Sequence, residues 1–250
     1  MIDITMTATH RPDLLERTLA SFFTNMWTSN DEQLRLIINV DPTGSDTDKY
    51  NEIFDIVRYF FEDNFLIQQA PVPHFPSAVK WVWEQVTSPI FFNLEEDWEL
   101  LYPIDWNEMV WCIKDRDNVA HIRLSVFKST DSCKNWKVFY NWNGIYFQCP
   151  ADDKGAVGWC GHPSLNKTSF IKEAMKHIDF AHNPEKQIKG RGSMKALIDA
   201  HIFGSFIQPN SPANIKDIGR EWMVKNGWKK QGKNKEWFTT WEKADGTSVT

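Results

Sequence analysis

The sequence has few of the features that would place it outside the ordinary globular class. Its four cysteines, Cys112, Cys133, Cys149 and Cys160, form no C-x-x-C pair and no Cys/His zinc spacing. That excludes a disulfide framework and a structural zinc site as organising devices, and leaves reduced, buried thiols. No apolar run approaches the ~20 residues needed to span a bilayer. The opening Met1-Ile2-Asp3-Ile4 lacks the basic and apolar regions of a signal peptide, so a cytoplasmic address is expected, or a host cytoplasm if the gene is carried by a phage. There is no internal repeat, no low-complexity tract and no linker that marks a boundary, so the 250 residues read as a single domain.

What is present is unevenly distributed. Residues 1–150 carry 12 Lys/Arg against 22 Asp/Glu, and residues 151–250 carry 16 against 11, so a net charge of −5 conceals an acidic first part and a basic last part. Such polarity points to a polyanionic partner for the C-terminal part. Thirteen tryptophans are several times ordinary usage. Their flat faces suit sugar rings and nucleobases as well as core packing.

Along the chain, residues 2–9 alternate apolar and polar and then break at His10-Arg11-Pro12-Asp13, which predicts a strand and a turn. Leu14, Leu15, Leu19, Phe22 and Phe23 recur at helical spacing, with Asp13 placed to cap that helix. Strands are expected at 34–40, 65–69 and 90–94, with helices over 47–61 and 77–87. Four strand–helix alternations with long apolar strands predict a mainly parallel sheet covered by helices. Beyond residue 100 the pattern predicts a helix at 105–115, a strand at 119–126 and a hairpin over 136–147 turning at Asn143-Gly144. A strand at 157–165 and helices at 168–177 and 184–199 follow.

In an open α/β sheet, ligands sit outside the carboxyl ends of the strands where strand order reverses. Three polar clusters fall at such ends: Thr7-Ala8-Thr9-His10-Arg11-Pro12, Asp41-Pro42, and Glu95-Glu96-Asp97. The run from Met6 to Phe22, a strand ending in a Thr-rich turn, then Arg-Pro and a helix carrying Leu-x-x-Thr-Leu-x-Ser, resembles the opening of family 2-like GT-A glycosyltransferases. The likeness extends to the acidic end of the second strand and to an acidic triplet near residue 100, and it is looser thereafter.

The resemblance implies a GT-A, Rossmann-like, mixed and mainly parallel sheet, with residues 1–100 as the nucleotide-sugar half and 101–250 as the acceptor half of one domain. It implies a metal-dependent, inverting hexosyl- or pentosyltransferase using a nucleotide-sugar, a UDP-sugar being the expected donor. Hard Mn²⁺ or Mg²⁺ needs carboxylate oxygens to neutralise the departing diphosphate. Alternation places Glu95 and Asp97 on one side of an extended backbone, so metal binding is expected chiefly at Asp97 with Glu95 assisting, although the family usually has Asp at the first position. Asp217 or His201 is the expected supplement. Thr7, Ala8 and Thr9 would line the base pocket with Glu96 beside them, Asp41 would accept from base or ribose, Arg11 would orient the loop or meet a phosphate, and Lys80 would reach the diphosphate.

An inverting transfer needs a carboxylate to take the proton of the attacking hydroxyl. Gly161-His-Pro-Ser-Leu-Asn166 resembles the family's segment before that base, which makes Glu185 the candidate, with Asp153 and Asp152 as rivals and Trp159 and His162 on the acceptor side. The tail from Lys216 to Lys243 interleaves eight Lys/Arg with Trp222, Trp228, Trp237, Phe238 and Trp241. Cations with stacking rings suit nucleic acid. A hydroxymethylated base in double-stranded DNA, read by Trp222, Trp228, Lys229, Lys230 and Lys233 as in phage DNA-modifying enzymes, is therefore the expected acceptor. A cell-surface glycan or small carbohydrate is the alternative. A nucleotidyltransferase would share the sheet and acidic site but needs a Gly-rich phosphate loop, absent from Thr7 to Pro12; a non-catalytic binding module would leave the three polar strand ends unexplained.

Overall fold

A computed structural model describes residues 1–27, 33–45, 47–114, 116–128, 141–230 and 241–243. The strands are β1 (Ile2–Thr9), β2 (Leu34–Asp41), β3 (Phe65–Gln69), β4 (Ile90–Glu95), β5 (Trp98–Leu100), β6 (Val119–Leu124), β7 (Asn141–Trp142), β8 (Phe147–Gln148), β9 (Ser164–Lys167), β10 (Ile202–Phe206), β11 (Ile215–Asp217), β12 (Trp228–Lys230) and β13 (Trp241–Lys243). The first four helices are α1 (Pro12–Phe22), α2 (Tyr50–Phe61), α3 (Phe75–Glu84) and α4 (Trp106–Lys114).

Nine strands form the main sheet in the order β3-β2-β1-β4-β9-β6-β10-β8-β7. β3, β2, β1 and β4 pair in parallel, β9 runs against both β4 and β6, and β10 is again parallel to β6. Only β9 and β8 oppose the common direction, so the sheet is mixed and mainly parallel. The strand order reverses between β1 and β4, and their carboxyl ends open the crevice there.

Alternation along the strands decides which face each side chain packs on. Ile4, Met6 and Ala8 of β1, Leu36, Ile38 and Val40 of β2, and Phe92 and Leu94 of β4 join one buried cluster with Leu15, Leu19 and Phe22 of α1 and Trp106 and Met109 of α4. Ile37 and Phe91 face the opposite way, into a second cluster with Val79, Val82 and Trp83 of α3 and Phe170 of the helix Thr168–Met175. On that second face β1 presents Asp3, Thr5, Thr7 and Thr9, a polar stripe that leads to the carboxyl end of the strand.

Several expectations shift. α1 begins at Pro12, whose fixed φ suits the first helical position, with Arg11 as the preceding residue; Asp13 lies within the first turn and caps nothing. The expected helix over 184–199 is two 3₁₀ turns, Pro184–Lys186 and Gly192–Met194, before a helix only at Lys195–Ala200. Gly190 packs backbone to backbone on Gly155, and Gly192 has φ +57°, so no continuous helix can pass through this stretch. The strand expected over 157–165 shortens to Ser164–Lys167, because Trp159 to His162 leave the sheet to line the crevice. The hairpin is present as β7 and β8, with Gly144 at φ +99° in its turn; residues 136–140 of the expected span lie outside the described residues.

Candidate active site

A cleft of about 620 Å³ opens at the carboxyl ends of β1, β2 and β4. That volume lies within the ~300–1,000 Å³ usual for ligand pockets. Thr7, Ala8, Thr9 and Arg11 line it from β1 and the turn after it, Asp41 and Thr43 from β2, and Glu95, Glu96, Asp97 and Trp98 from β4 and β5. Trp159, His162, Glu185, Lys186, Asp217 and Arg220 come from the second part of the chain.

Glu96 turns inward and anchors the cleft. Its Oε1 accepts from Thr9 N at 3.0 Å, Thr9 Oγ1 at 2.7 Å and Arg11 Nε at 3.0 Å, and from Arg11 Nη2. Arg11 is only 2% exposed. Burial opposes its charge, but Glu96 and Asp97 raise its pKa above the ordinary value. Arg11 thus orients the loop, and Gly44 (φ +94°) lets the β2 turn close over it, since a Cβ there would sit 3.0 Å from Arg11 Cγ. Glu96 is therefore committed to holding β1 and β4 together.

The neighbours of Glu96 face the cleft. Glu95 accepts from Trp98 Nε1 at 3.2 Å, and Asp97 Oδ2 accepts from Arg11 Nη2 at 3.1 Å. Burial, and next the charge of Asp97, push Glu95 up to about 8. β11 pairs with β5, setting Asp217 opposite Trp98, and Ile218 N donates to Asp97 O at 2.9 Å. Asp217 Oδ1 accepts from Gly219 N and Arg220 N, and Oδ2 pairs with Arg220 at 3.0 Å. Asp41 accepts from Asn39 Nδ2 at 2.9 Å and His74 N at 3.1 Å, which ties β2 to the residue before α3. Its burial raises it to about 6.

On the opposite wall, Asn183 Oδ1 accepts from Glu185 N at 2.9 Å, fixing the turn that presents Glu185, and Lys186 Nζ lies 3.2 Å from Glu185 Oε2. The His162 ring lies tilted against Trp98, their centroids 5.1 Å apart. Behind it, Arg123 Nη1 donates to Cys160 Sγ at 3.2 Å. Burial alone would raise the Cys160 thiol, yet Arg123 and His162 hold it well below its ordinary value. Burial likewise works against protonation of His162, but Cys160 outweighs it and the imidazole is raised.

Other residues singled out in the sequence lie elsewhere. His201 sits where the chain enters β10, its Nδ1 on Leu197 O and its ring on Phe170, away from the strand ends that form the cleft. Lys80 is half exposed and pairs with Glu84 at 3.7 Å. Asp153 precedes the short helix Lys154–Val157, and neither it nor Lys80 lines the cleft. Trp159 is buried, donating to Asn166 Oδ1 at 3.0 Å. Trp222 packs over Arg11 at 5.5 Å and donates to the Asp13 carboxylate. Trp228 is 6% exposed and Lys229 pairs with Glu242 at 2.7 Å. Lys230 forms part of β12, and Lys233 lies outside the described residues. Cleft residues that the sequence reading passed over include Asn93, His74, Trp83 and Arg220. Asn93 carried a signal, a lone amide in the apolar run Ile90-Phe-Phe-Asn-Leu94; its Nδ2 donates to Gly161 O at 3.0 Å.

Among the described residues no three His, Cys, Asp or Glu side chains converge as a protein-only metal cage. Mg²⁺ needs none, since it binds through one or two carboxylates, substrate phosphates and water. Asp97 and Glu95, two carboxylates whose mutual repulsion a cation would relieve, fit that manner of binding.

No family model matches the chain, and no curated protein matches it. Solved structures do. The mannosyltransferase PcManGT from Pyrobaculum calidifontis, in complex with GDP-Man and Mn²⁺, superposes with a TM-score of 0.55 at 10% identity over 83% of this chain and 55% of that one. S. aureus TarS 1-349 superposes with a TM-score of 0.56 at 9% identity over 90% of this chain and 63% of that one. The TarS complex with UDP-GlcNAc gives 0.53 at 10% identity over 85% and 57%. The chain thus spans less than two thirds of each of these neighbours. The architecture is the GT-A, Rossmann-like fold of nucleotide-sugar glycosyltransferases.

Proposed function

We propose that this protein is a glycosyltransferase that takes a sugar from a nucleoside diphosphate sugar, a UDP-sugar by preference, and delivers it to a carbohydrate hydroxyl with inversion. The observation that carries the proposal is the meeting of Asp41, Glu95, Asp97, Asp217 and Glu185 in one cleft at the point of strand-order reversal. In this reading Asp41 and the Thr7–Thr9 edge, which line the cleft, take the ribose and base, and Arg220, which pairs with Asp217, meets a diphosphate oxygen. A bound Mn²⁺ or Mg²⁺, held by Asp97 with Glu95, would supply neutralising charge for the departing diphosphate. Glu185, on the facing wall, takes the proton of the attacking hydroxyl as its oxygen bonds to the anomeric carbon and the bond from that carbon to the diphosphate oxygen breaks. Trp98, Trp159 and Trp83 give the cleft apolar wall.

For the acceptor, DNA draws no support from Trp228 or Lys229, which are occupied within the chain by burial and by Glu242. A nucleotidyltransferase is disfavoured by the glycine-free turn after β1. Thermal stabilisation by UDP-glucose or UDP-GlcNAc that requires Mn²⁺ tests the proposal. Stabilisation by no nucleotide sugar with either metal would refute it.

A further inference from the structure

Beside the cleft lies a second hollow, of about 720 Å³, lined by Asp152, Gly155, Ala156, Lys186, Lys189, Gly190 and Arg191. Lys186, Lys189 and Arg191 line it with one carboxylate, Asp152, and Lys186 also pairs with Glu185 at 3.2 Å. Its floor is built of backbone: Gly190 N donates to Gly155 O at 2.6 Å, and a Cβ on Gly190 would fall 2.5 Å from Gly155 Cα. This contact presses the basic turn Lys186–Arg191 against the helix Lys154–Val157, an approach that only glycine at 190 allows. Lys154, the one cation of that helix, is spent elsewhere, donating to Asp199 O and His201 O. Among the described residues, neither Lys189 nor Arg191 has a carboxylate partner; Lys189 Nζ reaches only Trp159 O at 3.4 Å. Burial lowers the pKa of Lys189 even though the negative charges of Glu185 and Cys160 work to raise it, so a further anion beside it would favour its charged form.

Lys186 lines both hollows, and its Nζ touches Glu185. Lys186 therefore joins the wall that carries Glu185 to the lining of the basic hollow. Resting on the glycosyltransferase reading above, we infer that the acceptor is a phosphorylated carbohydrate, its hydroxyl at Glu185 and its phosphate seated among Lys186, Lys189 and Arg191. Three basic side chains lining one hollow suit a phosphate group, because charge-assisted bonds of this kind are about twice as strong as neutral ones. Duplex DNA wants an extended row of cations rather than a compact hollow.

The test is calorimetric titration with glucose 6-phosphate in low salt, run beside titration with UDP. The parent protein is expected to bind both. Lys189→Gln/Arg191→Gln is expected to weaken glucose 6-phosphate by about tenfold or more, the loss of roughly one charge-assisted bond, while UDP affinity stays within about twofold. Lys189→Arg/Arg191→Lys, which keeps both charges, is expected to retain binding and shows that a loss reflects charge rather than misfolding. Inorganic phosphate that binds as well as glucose 6-phosphate would overturn the carbohydrate part of the inference. A duplex oligonucleotide that binds more tightly, with the same sensitivity to the variant, would overturn it in favour of nucleic acid. Equal glucose 6-phosphate affinity in parent and Gln variant, or none in either, would overturn it outright. Failure of UDP to bind would instead strike at the glycosyltransferase reading.

Discussion

Gly219 lies against Asp97 so closely that a Cβ built on it would sit 2.2 Å from Asp97 Oδ2. No rotamer change of residue 219 could relieve this, because the clash begins at the first side-chain atom. The helix Gly219–Lys225 therefore holds Asp97 in its cleft-facing position, and it does so from the basic tail of the chain. Gly219→Ala is expected to displace Asp97 and weaken Mn²⁺-dependent UDP-sugar binding by about tenfold or more, with uridine binding retained. Unchanged UDP-sugar affinity in that variant would show that Asp97 does not set the metal position.

Asp97→Ala goes further. It is expected to remove Mn²⁺-dependent UDP-sugar binding while the fold is retained, since Glu96 still pairs with the buried Arg11 when Asp97 is gone. Titration of a UDP-sugar with and without Mn²⁺ reads this directly, and parent-like affinity in the variant would cancel the metal assignment.

Glu185→Gln separates the roles on the two walls. UDP-sugar affinity is expected to survive while transfer falls by about 10² or more, the usual contribution of a general base. Normal turnover in this variant would move the base to another residue.

The pH dependence of nucleoside recognition follows from Asp41, whose pKa burial raises to about 6. Above that pH it is a carboxylate and can accept from ribose or base; below it the group is protonated and loses acceptor strength. Uridine affinity is thus expected to be full above pH 6 and to decline as pH falls through that value. Uridine is the right probe because it carries no phosphate that titrates in the same range. Asp41→Asn should flatten the profile, and a variant that keeps the parent's slope would place the titrating group elsewhere.

Arg11 and Glu96 make a stability prediction. Both are almost fully buried, and removing one partner leaves the other as an uncompensated charge. Arg11→Ala is expected to cost ~3–5 kcal/mol in urea unfolding. A loss under ~1 kcal/mol, the range of an exposed pair, would mean that Glu96 finds another cation or becomes neutral.

The first hundred residues were legible because β1, β2 and β4 are largely buried on both faces and α1 is amphipathic, so burial and periodicity speak together there. The acidic triplet was readable as a site, but not the division of labour within it. That Glu96 turns inward to Thr9 and Arg11 while its neighbours face the cleft follows from where the turn after β4 lies against the turn after β1, a long-range relation. β5 and β11 escaped notice for the same reason: each is three residues long and exists only because the other pairs with it. The 184–199 segment has helical periodicity, yet Gly190 and Gly192 serve close packing there, and tertiary contact overrode the local pattern. Trp228 shows how composition misleads, since an aromatic within a basic stretch reads as a stacking surface until burial claims it.

The central claim is that the cleft activates a nucleotide sugar. The most direct measurement is release of nucleoside diphosphate from a panel of UDP- and GDP-sugars incubated with the protein and Mn²⁺, followed by chromatography. Slow release is expected from at least one UDP-sugar, dependent on Mn²⁺ and absent in Asp97→Ala. Release from no nucleotide sugar, or equal release by Asp97→Ala, would contradict it.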